Sequence, residues 1–145
     1  MAGQFVRIEQ DISGEAAPAV ALQLRFTSAG RTGVLERTRH VMRLVAAAQE
    51  TEWPADEEWR RRLPEWFVRT FEGHSLDELM ANQNIWTFGS WLDAMKHPGW
   101  EWWSSAATGN EGIVRCVAHA DPYAIEPLIY LLRSAGASDV EFDEE

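Results

Sequence analysis

The chain has 145 residues, a formal net charge of −10 and a single cysteine. One cysteine excludes an internal disulfide framework and a multi-cysteine zinc site, and the acidic balance argues against non-specific binding to nucleic acid or to an anionic membrane. The simplest expectation is one domain, 1–145, of the usual ~100–200 residues, which at this size buries roughly 70% of its unfolded surface without a staple.

The first residues lack the shape of a secretory signal, and no apolar run approaches the ~20 residues needed to cross a bilayer. A cytoplasmic location is therefore the default expectation. Charge is unevenly placed: residues 31–49 carry four arginines and one glutamate, and residues 100–145 carry nine acids against two arginines. Eight tryptophans are unusually many. Twelve of the thirteen basic residues are arginine, which we read as compositional bias.

In chain order, Phe5 to Ile12 alternates, with Val6, Ile8 and Ile12 on one face. Val20, Leu22, Leu24 and Phe26 alternate more cleanly, as a half-buried strand does. The break from Ser13 to Pro18 makes the two runs a predicted hairpin. Thr32 is a candidate N-cap for a helix to about Gln49, whose buried face is Val34, Thr38, Val41, Val45 and Ala48. Hairpin and helix together span 4–49.

Residues 53–97 read as several short helices. Asp56, Glu57 and Glu58 stand four before Arg60, Arg61 and Arg62, the favourable acid-before-base spacing. Pro64 ends that helix and can start another, and Gly73 stops the next. Ser75 to Glu78 is a capping box, and Ser90 to Asp93 a weaker one.

The unit at 100–142 is the most legible. It reads as strand, strand, helix, strand: Trp100–Ala106, Gly112–Ala120, Pro122–Ala135 and Ser138–Phe142. Asp121 and Pro122 form a helix start, Ile125, Leu128, Ile129 and Leu132 one buried face, and Gly136 the left-handed stop. Strand, helix, strand suggests a βαβ element. The predicted fold class is α+β: a single, mostly antiparallel sheet of about five strands with helices on one face. The helical segment 53–97 is inserted between two β-containing halves.

Five groups are candidate sites. Cys116 and His119 lie three apart, so on a strand they face opposite sides and cannot act together; a cysteine in an apolar run is ordinarily a small buried hydrophobe. His119 and Asp121 are two apart and can share a face at a strand end, but with His74 and His97 they lack tight metal-ligand spacing, so no metal is predicted. Arg37, Arg39, Arg43 and Arg60, Arg61 and Arg62 fit a solvated helix face better than a phosphate site. No phosphate loop, nucleophile elbow or dinucleotide fingerprint is present, so no cofactor is predicted.

Trp86, Trp91, Trp100, Trp102 and Trp103 make the fourth group. Most should fill the core, yet exposed tryptophan is enriched at interface anchors. Asp139, Glu141, Asp143, Glu144 and Glu145 make the fifth. A charged edge strand discourages aggregation, and it can also steer a basic partner.

The leading expectation is a non-enzymatic, acidic protein-binding module. One form is an inhibitor that neutralises a basic partner, as immunity proteins do for nuclease toxins; that is an analogy from charge and size. Interface candidates are Trp100, Trp102, Trp103, Glu141, Asp143 and Glu144. The alternative is a small-molecule-binding or hydrolytic enzyme with its site near His119 and Asp121. Self-association through exposed tryptophan is a third possibility. Neither nucleic acid nor a membrane is an expected partner.

Overall fold

β1 (Ala21–Thr27) is a strand by its alternation: Leu22, Leu24 and Phe26 are buried on one side, and Arg25 is exposed on the other. The computed structural model describes residues 4, 5, 8, 21–28, 32–72, 86–120 and 122–144. α1 (Val34–Glu50) buries Val34, Thr38, Val41, Val45 and Ala48, the face that the spacing predicts. Its N-cap is Gly33, at φ 76, rather than Thr32. A left-handed turn here suits a residue without a Cβ.

The middle of the chain folds as short helices: α2 (Asp56–Arg62), α3 (Glu65–Val68) with a 3-10 turn over Arg69–Phe71, and α4 (Phe88–Lys96). Pro64 is the N-cap of α3. The capping box of α4 is set one turn earlier than predicted. Thr87 Oγ1 accepts from the Ser90 amide at 3.1 Å, and Ser90 Oγ accepts from the Thr87 amide at 3.0 Å. Ser90 is thus the third helical residue and not the cap. Gly73 and the predicted box at Ser75 to Glu78 lie outside the described residues.

β2 (Trp100–Thr108) and β3 (Glu111–Ala118) form a hairpin closed by Gly109, at φ 60, and Asn110. α5 (Glu126–Ser134) and β4 (Asp139–Glu144) complete the order. α5 starts four residues later than predicted. The Ala124 amide is taken by Pro98 O at 2.8 Å, so Pro122 to Ile125 is a connector. Pro127 stands in the first turn instead of Pro122, where its missing N–H costs nothing. The C-terminus of α5 behaves as predicted: Gly136 has φ 122, and the Ala137 amide reaches back to Leu132 O at 3.0 Å.

The strands form one antiparallel sheet in the order β2-β3-β1-β4. Among the described residues it has four strands, where about five were expected. β1 pairs with β3 on one side and β4 on the other, so neither of its edges is open to a hairpin with the start of the chain. Gln4, Phe5 and Ile8 are helical instead, which corrects the strand expected from Phe5. Gln4 and Ile8, four apart and therefore on one helix face, are both buried.

β3 and β4 run in the same direction with β1 between them, and β1 and β2 do so with β3 between them. Each half of the sheet is therefore a split βαβ unit, and the two interleave. The segment from α2 to α4 lies inside the first unit's crossover. It packs on α5: Trp91 Nε1 donates to Pro127 O at 3.0 Å, and Phe67 meets Trp91 and Tyr130 edge-on.

Helices cover one face, where Leu22, Leu24, Val114, Cys116, Trp100 and Trp102 join Val41, Met42 and Val45. A β-bulge at Trp103 reverses the alternation of β2. Before it, Trp100 and Trp102 face the helices. After it, Ser105 faces them, and Ser104 stands opposite Arg115 on the other face.

Candidate functional site

The face away from the helices is built in cross-strand rows. Thr108, Glu111, Thr27 and Asp139 make one row; Ala106, Ile113, Arg25 and Glu141 the next; Ser104, Arg115, Gln23 and Asp143 the third. Near the β-bulge this face is covered: Gln23 and Ser104 are buried. Toward the Gly109 turn it opens. A shallow depression of about 710 Å³ runs over that end of the sheet, lined among others by Arg25, Thr27, Glu111, Ile113, Asp139 and Glu141.

Gly112 shapes this end. A Cβ there would come within 2.2 Å of the Phe26 ring, so the ring lies flat across the glycine.

β4 is one edge of the sheet and reads DVEFDE. Asp139, Glu141 and Asp143 stand on the open face, while Val140 and Phe142 lean half-buried toward the helices; all four acids are exposed. Arg25 is directly opposite Glu141, a favourable cross-strand arrangement. Thr27 Oγ1 donates to Asp139 at 3.4 Å and lies 2.8 Å from Ser138 Oγ. Carboxylates set every second residue suit charge-assisted hydrogen bonds to lysine or arginine.

Main-chain parity along the edge follows from the bonds of β1. The Ser28 amide donates to Asn110 O at 2.8 Å, and Thr27 O accepts from the Ser138 amide at 2.8 Å. Odd-numbered residues of β1 therefore turn their polar groups toward β4. In that ladder Asp139, Glu141 and Asp143 bond inward, and Val140, Phe142 and Glu144 point their N–H and C=O outward.

The three interface tryptophans lie elsewhere. Trp100 and Trp102 fill the core under the helices, and Trp103 is buried at the bulge. The surface members of the candidate set are Glu141, Asp143 and Glu144.

His119 is exposed just beyond β3, its amide bonded to Gly99 O at 2.9 Å. It lines a second groove of about 410 Å³ with His97, Lys96, Glu50 and Glu101. Asp121 lies outside the described residues. Behind the groove runs a relay. The Trp102 amide donates to Gln4 Oε1 at 2.7 Å, Gln4 Nε2 to Gln49 Oε1 at 2.7 Å, and Gln49 Nε2 to Met95 O at 2.6 Å.

Cys116 is fully buried, and burial pushes its thiol far above the usual range. A thiolate nucleophile there is excluded. Among the described residues no group of three or more His, Cys, Asp or Glu side chains is placed to hold a metal.

The arginines have structural partners. Arg37 donates to Ala135 O at 2.8 and 2.7 Å, a cation at the C-terminus of α5. Arg39 donates to Ile8 O. Arg61 and Arg62 meet Glu58 at 3.4 and 3.1 Å, and Arg60 lies 4.5 Å over the Phe88 ring.

Sequence reasoning missed Arg25 and Glu111 as members of the open face. The alternation of β1 already put Arg25 opposite Leu24, but only the register shows that it faces Glu141. Among the described residues no helix is long and apolar enough to cross a membrane. Comparison with known proteins finds no matching family model, no matching curated protein and no matching solved structure.

Proposed function

We propose that this chain is a non-enzymatic, acidic protein-binding module that recognises a basic protein partner, in the manner of an inhibitor that neutralises it. The observation that carries this reading is the exposed edge strand β4, four of whose six residues are acids, beside an open depression. The net charge of −10 adds long-range attraction for a basic surface. Burial of Cys116 removes the one thiol as a nucleophile.

The test is affinity capture from the native cell extract at low and then high salt. Tagged wild type is compared with a variant carrying Glu141→Lys and Asp143→Lys. One basic protein, retained by the wild type, eluted by salt and absent from the variant, is the expected result. A protein retained equally by both, or none, overturns it.

A second reading rests on the groove beside His97 and His119, which suits a small ligand or a hydrolytic site. It requires the His119→Ala variant to lose binding or turnover of a ligand while keeping its melting temperature. Failure of every compound in a thermal-shift panel to stabilise the wild type removes it.

A further inference from the structure

We infer that the outer edge of β4 adds an extended strand from the partner, one that alternates lysine or arginine with apolar residues. The inference rests on the acidic-module reading and specifies its mode of recognition. The first support is the main chain. Val140, Phe142 and Glu144 turn their N–H and C=O away from β1, and no described residue pairs with that edge. An edge of this kind is a template for strand addition.

The second support is the contrast with the opposite edge. The sheet's other outer strand, β2, turns the Trp102 amide outward, and Gln4 takes it at 2.7 Å. There the chain meets an outward amide with its own side chain. β4 contains no proline, and its register against β1 runs without a shift. Among the described residues, charge is the only one of the usual means of blocking an edge that β4 shows.

Charge then selects the occupant. If two copies paired through β4 in antiparallel fashion, the row Asp139, Glu141 and Asp143 would lie beside the same row of the other copy. Like charges directly opposite are unfavourable. A strand with basic residues on that face has the opposite sign at each position. Its alternate residues would lie beside Val140 and Phe142, which are half-buried and apolar.

The probe is a short synthetic peptide alternating lysine with valine; its control has glutamate in place of lysine. Amide hydrogen exchange of the full chain is followed by NMR with and without each peptide. The expected result is exchange at least about tenfold slower at Val140 and Phe142 at saturating lysine peptide. The glutamate peptide should have no effect. Phe142→Pro should weaken binding, because it removes an outward N–H and no bond to β1. The exchange readout on the wild type stands even if that variant folds poorly.

Binding with unchanged exchange at Val140 and Phe142 would place the peptide on the carboxylates alone. Strand addition would then be wrong and the acidic-module reading intact. Failure of the lysine peptide to bind, or equal binding of both peptides, overturns the inference as well. So does protection of these amides in a dimer without peptide, which would make a second copy the occupant. The acidic-module reading falls separately, if the capture experiment recovers no salt-sensitive basic partner.

Discussion

At the β2 edge a tryptophan amide points outward and is met by Gln4, which is itself held by Gln49 and sits beside core indoles. At the β4 edge the outward amides of Val140 and Phe142 face no described residue, and the flanking side chains are carboxylates. Both are outer strands of the same sheet. The difference is between an outward amide met from within the chain and outward amides that, among the described residues, have only charge beside them. Charge repels another copy but attracts its opposite.

The largest effect should come from emptying the covered edge. Trp102→Ala removes a side chain that is 1% exposed, and a loss of about 3–5 kcal/mol is expected for such a truncation. Chemical denaturation measures it. Gln4→Ala should cost about 1–3 kcal/mol, because it strands a buried amide donor and breaks the Gln49 relay. If Gln4→Ala is neutral, the contrast between the edges is only apparent.

On the bare edge, Glu141→Gln should change stability by no more than about 0.5 kcal/mol, yet weaken capture of a basic partner. A larger stability change would mean that the acids serve the fold. Cys116 offers a check on both edges at once. Its burial predicts that a thiol reagent modifies it only as fast as the core opens. Trp102→Ala should then accelerate labelling strongly and Glu141→Gln hardly at all.

The smallest effect is on pH dependence. Burial raises the Tyr130 hydroxyl above its ordinary value of 10.0, against lowering by hydrogen bonds with Thr70 and Ser134. The folded state therefore holds this proton more tightly than the unfolded state does. The associated stability is fully present below about pH 10 and is lost as pH rises through the folded value. Tyr130→Phe should flatten the alkaline limb of a stability–pH curve, although the neighbouring Thr70 loses its 2.7 Å partner.

How much of this was legible depends on how local each signal is. The β2–β3 hairpin, the buried face of α1 and the Gly136 stop all depend on neighbours within a few residues, and they were readable. Pro122 and Pro127 both look like helix starts; the choice is made by Pro98, whose carbonyl holds Ala124. Phe5 to Ile12 alternates like a strand, yet β1 has no free edge for it. The bulge at Trp103 leaves no mark in the residues themselves, though it decides which face Ser104 and Ser105 occupy.

The same locality explains the candidate site. Acid at every second position of β4 was visible. The edge strand was expected from that charge pattern; that Arg25 would stand opposite Glu141 required a register between residues more than a hundred positions apart. Most of the tryptophans were expected in the core, but their abundance alone could not say which of them stayed at the surface. Trp100 and Trp102 are buried on the helix-covered face, in one core with Val41, Met42 and Val45 of α1.

The central position of β1 has a consequence for the order of assembly. Both of its neighbours, β3 and β4, come from the last third of the chain. As the polypeptide emerges during synthesis, Leu22, Leu24 and Phe26 have no strand to lie against until Glu111–Ala118 has been made. The β2–β3 hairpin can close on its own, and β1 must then be captured over a long loop before β4 has anything to pair with. Loop closure of that length is paid before the contacts reward it, so folding should be slow for the chain's size. Until capture the apolar strand is open to misassociation.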